Sequence, residues 1–552
     1  MLTQRSLLLC LVCLASLLVS PIFQPALSTQ TVQSAPQALI QNPYADLAIG
    51  VGWEDLNVGG TDYTDAGAVQ VLFGSASGLS GDYDQLLSQN DQDNPEQVGE
   101  FDYFGEVLAF GDLNCDGFAD LAIGVPGEYL GAIETAGIMQ IYNGSITGMV
   151  LPGGEVWHQD IPGIQDAAED YDWFGSTLAS GDFNGDGCDD LAVGAYGESF
   201  ATLQDLAPED IQGAGAVNIL YGSPNGIATL NNNFFYQIPA LDETIEHADH
   251  FGSSLAAGDF NGDHYTDLAI GVPDEDFEGA DTYTNAGVVH VLYGSSAGLS
   301  LIGALLLSQD DPQILGQSES DDNFGDALAS ADFNGDGKDD LAISAPGESY
   351  DFGAGEIAHT GVVHVLFGSQ AGLSKTDLLL TQTGDTPSVS EPHDYFGQAL
   401  AVGQIHGDRN ADLVVGVPSE DIGEILDAGA INVFFGHPVG FNTAITQQMW
   451  HSQPVAGDNF GWSLALADFD ADGFDDLAIG VPFRNFDWDS DSKDDAGVVL
   501  TCPGSANGVL STCYSWHQGL YIAGYPEDND RFGYSLTAAP PIFRNYLPLV
   551  RR

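Results

Sequence analysis

Lysine and arginine are almost missing from this 552-residue sequence. There are ten in all against 81 aspartates and glutamates, which leaves a net charge of −71. Three of the ten, Arg544, Arg551 and Arg552, fall at the extreme C-terminus. A chain so poor in cations has little with which to hold phosphates, so nucleic acid and anionic membrane surfaces are excluded as partners. Helical periodicity is missing as well, since no long stretch repeats apolar residues at intervals of three and four. There is no Gly-x-Ser-x-Gly elbow, no His-Glu-x-x-His pair and no phosphate-cradling loop, which removes the commonest signatures of catalysis. Beyond the N-terminal segment no apolar run is long enough to cross a bilayer.

Residues 1–28 read as a secretory signal: Arg5 supplies the positive end, Leu7 to Val19 the apolar run, and Ala26-Leu27-Ser28 a small-residue cleavage site. A polar linker, 29–41, follows. Export would place the chain where Ca²⁺ is abundant and disulfides persist. Of six cysteines, Cys10 and Cys13 leave with the signal. Cys502 and Cys513 flank a Gly-Ser turn and are the preferred bridge, whereas Cys115 and Cys188 are free or joined to each other.

What the sequence has in abundance is aspartate at fixed spacing. In Asp468-Phe-Asp-Ala-Asp-Gly-Phe-Asp-Asp476, acids stand at positions one, three, five and nine (Asp468, Asp470, Asp472, Asp476). Two carboxylates about 4 Å apart repel by roughly 4 kcal/mol at an effective dielectric near 20, so four in one loop call for a counter-ion. Ca²⁺ accepts carboxylates, amide oxygens and a backbone carbonyl at such odd-numbered spacing. The pattern recurs at Asp112, Asn114, Asp116 and Asp120, at Asp182, Asn184, Asp186 and Asp190, at Asp259, Asn261, Asp263 and Asp267, and at Asp332, Asn334, Asp336 and Asp340. Position seven would contribute its backbone carbonyl: Phe118, Cys188, Tyr265, Lys338 and Phe474. About five calcium sites are therefore expected. The loop is not an EF-hand, which closes with a glutamate at position twelve between helices. Another copy, Gln404, His406, Asp408 and Asp412, with Arg409 in place of glycine, is expected to hold no ion, and neither is the one that pairs Pro540 with Asn42.

The loops sit inside a longer repeat. A strand of the type Asp-Leu-Ala-Ile-Gly-Val begins at Asp46, Asp120, Asp190, Asp267, Asp340, Asp412 and Asp476, spaced by 64 to 77 residues. A second strand starts at Gly67, Gly137, Gly215, Gly287, Gly361, Gly429 and Gly497, and a fourth element ends near Gln89, Gln159, Gln237, Gln309, Gln382, Gln453 and Gln518. Asp-x-Phe-Gly occurs at Phe104, Phe174, Phe251, Phe324, Phe396, Phe460 and Phe532, and the Asp-rich loop starts eight residues later each time. In Leu121-Ala-Ile-Gly-Val125 bulk alternates with Ala122 and Gly124, so one face is wide and the other nearly bare. The bare face needs a backbone against it. Four antiparallel strands repeated seven times and stacked around an axis meet that need. The chain starts in mid-repeat at Asn42 and ends after an unpaired Phe-Gly strand, so the two half-repeats should close one blade. The expected fold is all-β, a seven-bladed propeller over residues 42–539, followed by a tail, 540–552, that reads equally as a docking peptide or a frayed end.

Other features invite function. Glu54, Glu128, Glu198, Glu275, Glu348 and Glu420 each follow a closing Asp by eight residues, with Arg484 in the seventh copy. They read as repeat-encoded turn residues before they read as a cation or sugar ring. Trp157-His158, Trp450-His451 and Trp516-His517 read as packing, because Leu87-Ser88 and Phe235-Tyr236 hold the same place elsewhere. The loop from Ser199 to Ala214 is the longest between second and third strands and the place to look for hidden catalysis.

Phe-Gly, then an Asp-rich loop, then Asp-Leu-Ala-Ile-Gly-Val-Pro resembles the FG-GAP repeat. The stretch 42–539 as a whole resembles the seven-bladed propeller at the head of integrin α subunits. The resemblance implies extracellular adhesion or binding of a protein or polysaccharide ligand, with calcium loops on one face and recognition loops on the other. The chain departs from integrins in carrying such loops in five of seven repeats, and in showing no inserted adhesion domain, leg domains or membrane span. A secreted, calcium-binding, non-catalytic propeller is the expectation; a carbohydrate-active enzyme and a structural envelope component are the alternatives.

Overall fold

The computed structural model describes residues 43–539 apart from 91–97, 152, 201–210, 238–244, 279–281, 352–354, 383–389, 489–490, 520–521 and 523. The signal, linker, tail, Pro540, Asn42 and most of the Ser199–Ala214 loop lie outside the described residues.

Every named element is a strand, and seven sheets have four antiparallel strands each. The second blade shows the plan: Val107–Gly111 innermost, then Asp120–Val125, Ile138–Tyr142 and Glu155–Trp157 at the rim. Five further blades follow in chain order. The innermost strand of each blade abuts that of the next, and the last, Ser535–Ala539, abuts both Leu464–Ala467 and Val107–Gly111. The ring is closed. Its closing blade is composite: Ser535–Ala539 pairs antiparallel with Asp46–Val51, Asp46 opposite Ala539 and Gly50 opposite Ser535. The two half-repeats thus complete one sheet, as the sequence pattern requires. Four short two-stranded ribbons, among them Leu56–Val58 with Thr61–Tyr63, were not expected; they project from connections between second and third strands.

Glycine on the second strand is what lets the blades touch. A Cβ on Gly124 would sit 2.1 Å from the carbonyl oxygen of Gly175 in the next repeat. The Phe-Gly corner provides that backbone. Phe174 N donates to Ala136 O at 2.9 Å and Gly175 N to Gly194 O at 2.9 Å, so one corner is bonded to two blades. Phe104, Phe174, Phe251, Phe324, Phe396 and Phe532 are fully buried between blades, where each contributes on the order of 2–3 kcal/mol through removal from water.

The middle of the third strand carries a buried polar residue in six blades: Gln70, Gln140, Asn218, His290, His364 and Asn432. His290, opposite Ile270, is fully buried, and neither ring nitrogen has a partner among the described residues. Burial lowers its pKa to about 3. The unfolded chain therefore binds a proton near pH 6.5 that the folded chain refuses, and stability falls as pH drops below that value. Between pH 7 and 4.5 this group should cost on the order of 2–3 kcal/mol. His290→Gln, the residue found at 70 and 140, should flatten that part of the pH–stability curve; denaturant unfolding at both pH values measures it, and parallel wild-type and variant curves would refute it.

Candidate metal centre

The Asp-rich segments join the innermost strand to the second strand, all at one end of the blades. Their coil is built by the aspartates accepting backbone N–H groups. Asp182 takes the amides of Asp186 (3.0 Å) and Gly187 (2.9 Å), and Asp186 takes that of Cys188 (3.0 Å). Asp468 takes those of Asp472 (3.0 Å) and Gly473 (2.9 Å), and Asp332 those of Gly335 (2.7 Å), Asp336 (3.0 Å) and Gly337 (2.7 Å). Asp259 and Asp263 repeat this with Gly262, His264 and Tyr265, and Asp112 and Asp116 with Gly117 and Phe118. Such Asx turns coil each loop around its own aspartates. In the last loop, oxygens of Asp468, Asp470 and Asp472 lie within 4.8 Å of one another.

Position nine closes each loop from inside the protein. Asp120, Asp190, Asp267 and Asp340 are fully buried, and each spends Oδ1 on the glycine that follows the third strand: Gly144 (2.8 Å), Gly222 (2.9 Å), Gly294 (2.8 Å) and Gly368 (2.8 Å). Asp476 does the same with Gly504 at 3.0 Å. Burial first, and then the neighbouring loop acids, raise these carboxyls to about 7, and Asp190 to about 8, against the pull of the glycine N–H. The donor set is all oxygen, and in the first loop Asp112 Oδ1 and Asp120 Oδ2 are buried with no donor among the described residues. These residues fit a hard divalent cation. Position seven engages through its backbone, as in Phe118, Tyr265 and Phe474, whose N–H groups bond position five. At Lys338 the side chain also returns, its Nζ lying 3.0 Å from Asp336 Oδ1, so an ammonium competes for that ligand. The copy with His406 is built differently: Nδ1 meets Asp412 Oδ2 at 2.8 Å and Nε2 meets Asp408 Oδ2 at 3.2 Å, placing imidazole between the acids.

The loops also hold each other. Position one of each accepts through its carbonyl from position eight of the next: Asp189 N to Asp112 O (3.0 Å), Thr266 N to Asp182 O (3.0 Å) and Asp339 N to Asp259 O (3.0 Å). Asp189 Oδ2 answers by accepting Asp112 N at 2.7 Å. A disulfide joins the first two loops through Cys115 and Cys188, and a second joins Cys502 to Cys513. Both candidate bridges therefore form, and they fit an oxidising compartment.

The opposite end of the blades places the remaining candidates. The glutamates do not form an exposed ring; they are buried between blades. Gln89 donates to Glu128 (2.5 Å), Gln159 to Glu198 (2.5 Å), Gln309 to Glu348 (2.6 Å) and Gln382 to Glu420 (2.5 Å), Gln237 to Glu275 likewise, and Gln518 reaches Glu54 across the ring closure at 2.5 Å. The carboxylates facing them, such as Asp172 and Asp530, come from Asp-x-Phe-Gly; reading each repeat alone concealed the pairing. Trp157 and Trp516 are buried in the blade cores, as packing requires. Beside this layer lies an aromatic belt that sequence reasoning missed. Trp53 packs on Tyr534 (4.3 Å) and Tyr103 (5.4 Å), Trp462 on Phe483 (5.1 Å), and Arg531 stacks over Trp53 (4.5 Å). Tyr103, Glu106, Trp173 and Tyr196 line a cavity of about 190 Å³. Glu106 is held at about 7 by burial.

Five segments match the FG-GAP repeat model: 104–137, 174–220, 251–292, 324–366 and 460–501. They coincide with the five repeats whose Asp-rich loops are complete. The chain carries five FG-GAP repeats.

Phosphatidylinositol-glycan-specific phospholipase D of Rattus norvegicus is 32% identical over 253 residues, 45% of this chain and 27% of that enzyme. Integrin alpha-8 of Gallus gallus is 29% identical over 328 residues, 58% of this chain and 26% of the integrin. The chain thus spans about a quarter of the length of these relatives. Among solved structures, an Agrocybe aegerita lectin that recognises terminal N-acetylglucosamine aligns over 90% of this chain and 94% of its own at 13% identity, with a TM-score of 0.45, too low to bear on ligand or mechanism.

The Cys115–Cys188 bridge spans 73 residues and ties two interlocked loops. Cys115→Ser should destabilise by about 2–4 kcal/mol, read as a lower Tm in non-reducing buffer. Identical melting of variant and wild type would show that the backbone bonds alone hold these loops.

Proposed function

We propose that this FG-GAP protein is a secreted, calcium-stabilised propeller that binds a macromolecular ligand on the face opposite its Asp-rich loops and performs no chemistry itself. The aromatic belt carries this reading. Trp53, Tyr103, Trp173, Tyr196, Trp462 and Tyr534 are half-buried at one end of the blades, and Tyr103, Trp173 and Tyr196 line a cavity together with Glu106. Rings of this kind grip sugar faces and protein side chains at low entropic cost. A polysaccharide or extracellular protein suits this surface. Calcium supports the scaffold: oxygens of three aspartates converge in the last loop, four other loops share its coil, and neighbouring loops are bonded to one another, so filling one stiffens its neighbours. Two disulfides support export.

Similarity to phosphatidylinositol-glycan-specific phospholipase D favours a second reading, a catalytic role, with the aligned quarter of that enzyme as its only support. Incubation with a phosphatidylinositol-glycan substrate decides between them: product formed above a heat-treated control would establish an enzyme.

Saturable binding on an array of glycans and matrix proteins, weakened at least about tenfold by Trp173→Ala with unchanged Tm, is the result expected of an aromatic anchor. Absence of saturable binding across the array would overturn the binding role. At about 1–2 mM calcium each loop site should add roughly 0.5–2 kcal/mol. Chelation should therefore lower Tm substantially, and replacing Asp472 and Asp476 by alanine should remove one ion by native mass spectrometry. A Tm indifferent to chelator would refute calcium stabilisation.

A further inference from the structure

Between the second and third blades, at the end away from the Asp-rich loops, three acids meet. Asp172 and Glu198 are fully buried, and Glu169 stands at the rim. One oxygen from each lies within 4.8 Å of the other two. Asp172 Oδ2 accepts Glu169 N at 2.5 Å, and Glu198 Oε2 accepts Gln159 Nε2 at 2.5 Å. Their other oxygens, Asp172 Oδ1 and Glu198 Oε1, are buried and have no donor among the described residues. Gln159 is 1% exposed, and its Oε1 is in the same condition. Its amide is pinned to Glu198, so that oxygen remains beside the acids. This is not part of an Asp-rich loop: the strand Asp190–Ala195 lies between Glu198 and the nearest one, a separation of roughly 20 Å at about 3.3 Å per residue.

The seventh copy of the same junction shows what the position attracts. Arg484 replaces the glutamate on the same turn, its N bonded to Val481 O as Glu198 N is bonded to Ala195 O. Arg484 Nη1 donates to Asp458 Oδ2 and, at 2.9 Å, to Gln453 O. Asp458 and Gln453 are the counterparts of Asp172 and Gln159. The counterpart of Glu169 is Val455, so the copy that supplies its own cation also lacks the rim acid. At the junction of blades two and three the chain supplies three carboxylates and no cation. Burying such a cluster uncompensated is prohibitive.

We propose that Glu169, Asp172, Glu198 and the Oε1 of Gln159 form a Ca²⁺ site between these two blades, a second class of site on the face opposite the Asp-rich loops. Three carboxylates and an amide oxygen are hard ligands of the kind Ca²⁺ takes, and the open rim at Glu169 admits the waters that complete six to eight. The ion would clamp a rim acid and a turn from one repeat to the glutamine that ends the previous one, doing for this junction what Arg484 does for its own. The site does not depend on the Asp-rich loops being filled.

Native mass spectrometry of the full chain titrated with calcium chloride at pH 7 tests it by counting ions on wild type, Glu198→Gln and Glu169→Gln. The expected result is one fewer Ca²⁺ on Glu198→Gln, with all others retained. Glu169→Gln should weaken one site by about tenfold, because affinity follows ligand charge. This second variant changes only a rim residue and keeps the test decisive if Glu198→Gln folds poorly. An equal count on all three proteins overturns the proposal. A higher Tm for Glu198→Gln in calcium-free buffer, together with that equal count, would identify the pair as two acids sharing a proton.

Discussion

Neighbouring blades meet at backbone distance, and everything else in this molecule follows from that contact. A second strand that alternates Leu, Ile and Val with Ala and Gly has one face too shallow to be covered by side chains. The Phe-Gly corner of the next repeat covers it, with Gly175 O where a Cβ of Gly124 would lie. The corner is bonded on both sides, and its phenylalanine fills the wedge between sheets. Because the contact links each repeat to its successor, it can be satisfied for all seven only by a ring, and the pairing of Ser535–Ala539 with Asp46–Val51 completes it.

Close contact between blades has an electrostatic consequence. Most junctions bring acids together at both ends: the Asp-rich loops at one, and the Glu and Asp carboxyls around a glutamine at the other. Among the described residues the chain meets the second problem from its own side chains at one junction, with Arg484 on Asp458, and with only ten basic residues it has few more to offer. Interlocking of position one with position eight, and the Cys115–Cys188 bridge, tie neighbouring acidic loops to one another.

Much of the fold could be read directly. The 64–77-residue repeat, the alternation in Leu121-Ala-Ile-Gly-Val125 and the half-repeats at the two ends led to seven four-stranded blades and their closure, all of which the structure contains. The coil of the Asp-rich loops was legible because its aspartates and the amides they accept are a few residues apart in sequence. The glutamates eight residues past each closing Asp were only half legible. Their turn role was visible, but their partners Gln89, Gln159 and the rest belong to the preceding repeat, some 38 or 39 residues away, and in one case 464 residues away. The aromatic belt was missed because its rings stand beside the Phe-Gly corner at positions other repeats fill with other residues: Tyr103 precedes Phe-Gly, and Trp462 and Tyr534 follow it, where Ser176, Ser253, Asp326 and Gln398 stand elsewhere.

Sequence alone determined what repeats: the strand alternation, the coil of each acidic loop and the number of blades, because these depend on neighbours a few residues apart. Tertiary structure alone decided what faces what across a junction. It buried the glutamates against glutamine, joined Cys115 to Cys188, set an arginine in one wedge and left three acids in another. Those outcomes depend on the angle and distance at which one sheet lies on the next, and no single repeat encodes them.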